Sequence, residues 1–355
     1  MAKIMAWPCF KLLPFQSCMD ADLMQSAPRS YVYLPADGAF SSLLDFLCLR
    51  FAHVPRSEWQ ARFADGLVQG ATGEVLPLDA PYQPGTQVYY QRRVAAETPI
   101  PVQEQVLYED THIVIADKPH FLPVTPSGHY VRETLLYRLR EKLACPMLSP
   151  AHRIDRDTAG LVLLTKQPQQ RAAYQNLFRD RLVEKIYHAV APALDVMQAG
   201  IEQWLPAWQG LDTAQRQTAL QAEGVTVQAD IQRSAQAFLQ MDCQAALLAG
   251  QINARTHIKI IATQAGFTAS NAKNTIKNAV YELRPATGQR HQLRAQMCAL
   301  GAPILGDGIY PVLTPEHPEA HSQAPLQLLA RHLRFTDPIT GQVRDFVSGL
   351  QLQQA

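Results

Sequence analysis

The sequence has no Cys-x-x-Cys pair, no glycine-rich nucleotide loop, no apolar run long enough to span a bilayer and almost no net charge. Each absence excludes something. Its six cysteines (Cys9, Cys18, Cys48, Cys145, Cys243, Cys298) are scattered, and no histidine stands at zinc-ligand spacing from them, so reduced thiols in a cytoplasmic protein are expected. No G-x-G-x-x-G or P-loop pattern occurs, which leaves no sequence argument for a dinucleotide or nucleoside triphosphate. Apolar runs fall short of the ~18 residues that a membrane helix needs, and prolines break up the first thirty residues before a signal-peptide core can form. A formal charge of +1, from 32 Lys+Arg against 31 Asp+Glu, gives no global reason to expect nucleic acid.

What is present is length and apolar content. With 355 residues, 47 % of them hydrophobic, the chain can bury a large core and exceeds one ordinary domain. Residues 1–30 read as a poorly ordered extension, with Met19 and Met24 as alternative starts. From 31 to 95 the pattern fits a small α/β module. SSLLDFLCLRF and PRSEWQARFADGLV have helical spacing, and GEVL and TQVYY read as short strands. Residues 96–105, with two prolines in TPIPVQEQ, read as a linker. Beyond it, HIVIADKP, GLVLLTK, EKIYHAVAP, NARTHIKIIAT and AVYELRP read as strands. ETLLYRLREKL, PQQRAAYQNLFRDRL and QRHQLRAQMCAL read as helices. Residues 195–250, rich in Gln and Ala at helical spacing, read as an insertion at the sheet edge. Strands and helices do not alternate regularly, so an α+β fold with a mixed sheet is expected over a doubly wound one.

Charge is concentrated locally. From Val131 to His188 there are 11 Lys+Arg and 6 Asp+Glu, and within that span AHRIDRDTAGLVLLTK sets His152, Arg153, Asp155, Arg156 and Asp157 directly before a buried strand. A loop held by a rigid sheet is a common place for a catalytic group. Asp155 is therefore a candidate, although a turn aspartate bonding its own backbone would look the same. A metal site at His152, Asp155 and Asp157 is disfavoured by the two interleaved arginines. Tyr187 in EKIYHA would ordinarily be core or sheet surface. PATGQRHQLRAQ opens a helix carrying Arg290, His291, Gln292 and Arg294, an arrangement that suits phosphate or a plain solvated cap.

Taken in order, HRIDRDTAGLVLLTK, EKIYHA, LRPATGQRHQLR, LGAPILGDGIYP and LLARHLRFTDPITG closely resemble the RluA-type family of RNA pseudouridine synthases. LYEDTHIVIADKPHFLPVTPSG resembles that family's opening strand and loop. The resemblance runs from about Val106 to Pro338. It implies a mainly antiparallel mixed sheet with flanking helices over 106–350 and an isomerase that needs no cofactor and no metal. Asp155 then stands at the indispensable aspartate, Tyr187 at the tyrosine that stacks on the target base, and Arg294 at the arginine that ion-pairs with the aspartate. Ile154, Ala159, Gln289, Arg290, Phe121 and Leu329 depart from the family's usual residues, and none removes a group that does chemistry. Residues 31–95 resemble, less closely, the αL-type RNA-binding module of ribosomal proteins, with Arg56 and Arg62 as RNA contacts, or a degenerate version kept for packing.

The chemistry fits those roles. Breaking a glycosidic bond and forming a carbon–carbon bond within one nucleotide involves no net redox change. The carboxylate must stay ionised in a site that excludes water, and an arginine ~4 Å away supplies about 4 kcal/mol at an effective dielectric near 20. The target base must be flipped out at a cost of a few kcal/mol, and stacking on an aromatic ring returns ~1–3 kcal/mol. His152, Arg153, Arg156, Arg290, His291 and Gln292 are the expected RNA contacts. The expected partner is RNA, with large-subunit ribosomal RNA favoured and tRNA as the alternative. No membrane and no obligatory protein partner are expected, and the default is a monomer. The rivals are a non-catalytic RNA-binding factor on the same fold, and a metal-dependent phosphohydrolase that chelation would inactivate.

Overall fold

The computed structural model describes residues 30–38, 40–52, 54–91, 97–127, 130–195, 199–235, 237, 239–264, 278–314 and 324–353. The expected extension at 1–30 lies almost wholly outside them. Two units are distinguished, Met1–Arg93 and Val94–Ala355.

In the first unit, β1 (Ser30–Tyr33), α1 (Leu43–Arg50), α2 (Arg56–Ala64), β2 (Val68–Gln69) and β3 (Gln87–Tyr90) build a three-stranded antiparallel sheet in the order β1-β3-β2. Ser42 caps α1 by accepting from the Asp45 amide at 3.1 Å, a contact worth about 1 kcal/mol. Leu43, Phe46, Leu47, Trp59 and Phe63 meet Val32, Val68 and Val88 in one core. GEVL is not a strand; only Val75 bridges, to Gln69.

The second unit begins with β4 (Gln105–Glu109), β5 (Ile113–Lys118), α3 (Leu135–Lys142), β6 (Ser149–Pro150), β7 (Ala159–Thr165), α4 (Arg171–Arg179) and β8 (Glu184–Pro192). There follow α5 (Ile201–Trp204), α6 (Thr213–Ala222), β9 (Val225–Arg233), β10 (Met241–Ala245), α7 (Ala246–Ala249), β11 (Ala254–Gln264), β12 (Asn278–Pro285), α8 (Gln292–Ala299), β13 (Leu328–Thr336) and β14 (Val343–Val347). They form one sheet ordered β10-β9-β11-β12-β8-β13-β7-β5-β4, with β14 on β13 and β6 on β7. Only β13 and β7 pair in parallel, so the fold is α+β with a mixed, mainly antiparallel sheet, as expected.

Two expectations are corrected. The segment read as a linker is packed: Ile100 is buried with the α3 leucines, and Arg138 donates to Ile100 O at 2.7 Å and Val102 O at 2.6 Å. Glu97 accepts the Arg132 and Glu133 amides ahead of α3. The Gln/Ala-rich stretch is only partly helical. Val225, Val227, Ala229 and Ile231 alternate with polar residues, a period of two that overrides local helix propensity and makes β9 a strand near the sheet edge.

Side chains alternate across the sheet. Val114, Ala116, Val162 and Leu164 pack under Leu135 and Leu139 of α3 on one face. Ile113, Ile115, Leu161 and Leu163 meet Tyr174 and Leu177 of α4 on the other. Farther along the sheet, α8 covers Ala189, Tyr281 and Leu283. Each fully buried leucine contributes about 1.5–3 kcal/mol. Gly160 is where β7 passes closest to β13: its φ is +111°, and a Cβ would lie 2.3 Å from Ala330 O and 2.7 Å from Ala330 N. Gly160→Ala is expected to cost about 3 kcal/mol, from backbone strain plus overpacking. A melting temperature within 1 °C of wild type would refute that.

Candidate active site

The turn that carries Asp155 is fastened from three sides. The Ala151 amide donates to Leu163 O at 2.9 Å, and the Leu163 amide donates to His152 Nε2 at 3.1 Å, anchoring the turn to β7. Lys118, fully buried at the end of β5, donates through Nζ to Pro119 O and Arg156 O, both at 2.9 Å. His120 Nδ1 lies 2.7 Å from Asp157 O. Asp155 therefore sits on an immobilised turn at the mouth of a wholly buried strand. Its carboxylate keeps 30 % of its exposure, enough for a substrate to reach.

Arg294 reaches that carboxylate from α8, with Nη1 3.3 Å from Asp155 Oδ2. Its stronger partner is Asp307: Nε donates to Oδ2 at 2.8 Å and Nη2 to Oδ1 at 2.6 Å. Both Arg294 and Asp307 are shut away from water, at 1 % and 0 % side-chain exposure. Asp307 Oδ1 also accepts the Ile309 and Tyr310 amides. Burial alone would lower the guanidinium pKa, but the hydrogen bond and charge of Asp307, with the charge of Asp155, raise it above the usual arginine range. Arg294 is thus a permanent cation held by one carboxylate and offered to another.

Tyr187 stands on β8 between Leu283 and Ala330 of the neighbouring strands, packed against the core under α8. Burial, and next the charge of Asp155, push its hydroxyl pKa well above the ordinary value. A neutral phenol follows. His291 precedes α8 in a left-handed conformation (φ +53°), its Nδ1 3.3 Å from the Tyr310 hydroxyl. Lys118 is pulled down to about 7 by burial, against the opposing charges of Asp157 and Asp155. Among the described residues no three His, Cys, Asp or Glu side chains converge as a metal site. No helix among them is long and apolar enough to cross a membrane.

Comparison with known proteins fits this geometry. Residues 112–299, more than half the chain, match the family model for RNA pseudouridylate synthase. The chain belongs to that family. Dual-specificity RNA pseudouridine synthase RluA of Vibrio cholerae is 30 % identical over 236 residues, covering 66 % of this chain and 77 % of that protein. An uncharacterized RNA pseudouridine synthase of Synechocystis is 28 % identical over 277 residues, 76 % of this chain and 79 % of that protein. Ribosomal large subunit pseudouridine synthase D of Xanthomonas campestris is 28 % identical over 279 residues, 76 % and 70 % respectively. As an RNA pseudouridine synthase, the protein is an isomerase that converts uridine in RNA to pseudouridine.

The structure brings Arg294 to Asp155, 3.3 Å apart, and the charge of Asp155 is felt at the Tyr187 hydroxyl. Arg153 and Arg290 are exposed beside them. Arg156 bonds Asp157 at 2.9 Å and retains 31 % exposure. Four of the residues expected to touch RNA point inward instead, and His291 is one of them, buried against Tyr310. His152 accepts a backbone amide and stacks on Phe178, with ring centroids 4.2 Å apart. Gln292 is buried and satisfied by Thr287, Gln289, Arg255 and Thr256. Arg62, in the first unit, is buried over the Trp59 ring and paired with Glu58. Arg56 is exposed but bonded to Asp45 at 2.7 Å. Sequence reading missed Asp307, hidden in what looks like a Gly-Asp-Gly turn, and Lys118, whose signal was a lysine closing a strand that opens on the apolar run Ile113–Ala116.

His152 gives a pH prediction. Burial, and next the charge of Lys185, pull it from 6.5 down to about 3. Below 6.5 the unfolded chain takes up a proton that the folded chain refuses. Its contribution to stability is therefore whole above 6.5 and is lost as pH falls toward about 3, at up to about 1.4 kcal/mol per pH unit. Melting temperatures at pH 7 and pH 5 should fall less for His152→Gln than for wild type. Equal falls would rule out His152 as the source.

Proposed function

We propose that this pseudouridine synthase uses Asp155 as its catalytic carboxylate, Arg294 to hold that carboxylate ionised and aimed, and Tyr187 as the neutral aromatic platform for the flipped uracil. The observation that carries this reading is a part-exposed carboxylate 3.3 Å from a buried guanidinium whose charge a second carboxylate already balances. Asp155 can then leave Arg294 to engage the ribose or base without stranding a buried cation. Tyr187, protonated at neutral pH, offers its ring for stacking, worth ~1–3 kcal/mol. Arg153 and Arg290, both exposed, are the side chains offered to phosphates, and Arg156 can add its charge while bonded to Asp157.

The substrate proposed is structured RNA, with large-subunit ribosomal RNA favoured over tRNA. The relatives include a dual-specificity RNA pseudouridine synthase and a ribosomal large subunit pseudouridine synthase. The first unit makes a weak RNA binder, since Tyr31 to Arg93 holds five arginines against six acidic residues. The test is carbodiimide mapping of pseudouridine in total RNA with and without this gene. Loss of a discrete site, restored by the wild-type gene, names the substrate. An unchanged map in cells that express the protein would overturn the assignment.

A further inference from the structure

Lys185 lies two residues before Tyr187 on β8, so both side chains rise from the same face of the sheet. It is half-buried, and its Nζ has one described partner, the carbonyl of Thr287 at 3.3 Å. Among the described residues no carboxylate pairs with it. Glu184 is on the opposite face, bonded to Arg284. Asp180 is held by Arg179. Burial, and next the charge of Arg181 in the turn before β8, lower the Lys185 pKa. His152, the remaining titratable group that feels Lys185, is kept neutral by burial. Two cations, one of them partly desolvated, thus stand four residues apart where the turn after α4 enters β8, with no carboxylate partner among the described residues.

Arg181 adds a separate observation. It is exposed, lacks a carboxylate partner among the described residues, and occupies the left-handed position just past α4 (φ +60°). Glycine is the ordinary residue at such a helix end, because a Cβ is strained there. The chain therefore keeps an arginine where the backbone favours glycine, four residues before a lysine that has no carboxylate partner among the described residues.

We propose that Lys185 and Arg181 form a phosphodiester-binding site beside Tyr187, gripping the backbone of the RNA strand that presents the target uridine. This rests on the reading of Tyr187 as the base platform. Lys185 has donors to spare beyond the Thr287 carbonyl, and a phosphate is the anion that RNA brings to this face. The site holds RNA without taking part in bond making.

The test compares wild type with Lys185→Gln, Lys185→Arg, Arg181→Gln and Arg181→Gly. Activity is read on total RNA from cells lacking the gene, and binding on an unmodified large-subunit ribosomal RNA transcript across a salt series. Each glutamine variant should raise the half-saturating RNA concentration roughly tenfold, as expected for a lost charge-assisted hydrogen bond. The saturated rate should stay within about twofold of wild type, since the role is in binding alone. The slope of log affinity against log salt should shrink by about 0.7–0.9 per lost phosphate contact. Lys185→Arg should keep the slope. Arg181→Gly should lose slope yet melt a few degrees higher, having shed the left-handed strain. Unchanged slopes in both glutamine variants, or a slower saturated rate at unchanged half-saturation, would overturn the proposal. If Lys185→Gln does not fold, the exposed Arg181 pair decides. Because the slope is a binding measurement, it decides this site even if wild type modifies no uridine, a result that would instead defeat the functional reading.

Discussion

Asp155→Asn is expected to abolish pseudouridine formation, by about 10⁴-fold or more, as when an essential catalytic group is removed from a site that otherwise stays intact. The substitution is nearly isosteric and removes the charge while keeping an oxygen that can accept from Arg294 Nη1. The fold should survive, because Arg294 keeps its two short bonds to Asp307 and is not left as a lone buried cation. Asp155 is also 30 % exposed, so neutralising it strands nothing in the core. The melting temperature should stay within about 2 °C of wild type, the shift that less than 1 kcal/mol gives in a domain of this size. RNA binding should persist, since the phosphate contacts lie on other side chains. The measurement is single-turnover isomerisation at saturating protein, with melting and binding in parallel. Residual activity above about 1 % of wild type would remove Asp155 from the chemistry, a hundredfold loss being within reach of a residue that only orients the substrate.

The approach of Arg294 to Asp155 was legible in the sequence because each lies in a motif whose order along the chain carries information that no single motif does. The mixed sheet was legible for a related reason: apolar runs of strand length, bounded by turns, are hard to build any other way. What could not be read was direction. His152 and Gln292 look like RNA contacts because polar residues near an exposed charged turn suggest solvent, yet both are spent on backbone groups inside the protein. Arg62 misleads in the same way, since a long side chain can bury its stem and stack its head on Trp59. In 195–250, Gln and Ala suggested helix, and the sheet's open edge won over that local preference. Asp307 escaped notice because an aspartate between two glycines is the ordinary composition of a turn, and only the fold places it against Arg294.

Asp307→Ala is expected to be the most damaging single change to stability near the site. It removes a wholly buried carboxylate that accepts two guanidinium bonds and two backbone amides. Arg294 would remain buried with one long contact, to Asp155. Breaking a buried pair from one side costs about 3–5 kcal/mol, or roughly 10 °C in a unit of this size. Activity should fall for a second reason. Arg294 would turn its whole charge on Asp155, binding the carboxylate more tightly and making it less available for the role proposed for it. The two effects separate in Asp307→Leu combined with Arg294→Met, which replaces the buried pair by apolar side chains of similar volume. Such replacements are often neutral or stabilising, so the double variant should regain most of the lost melting temperature while remaining inactive, because Asp155 has lost its cation. A melting temperature for Asp307→Ala within 2 °C of wild type would show that Arg294 does not depend on Asp307. Recovered activity in the double variant would show that Asp155 does not depend on Arg294. In either case the two-carboxylate arrangement would cease to explain how the aspartate is kept charged and yet free to react.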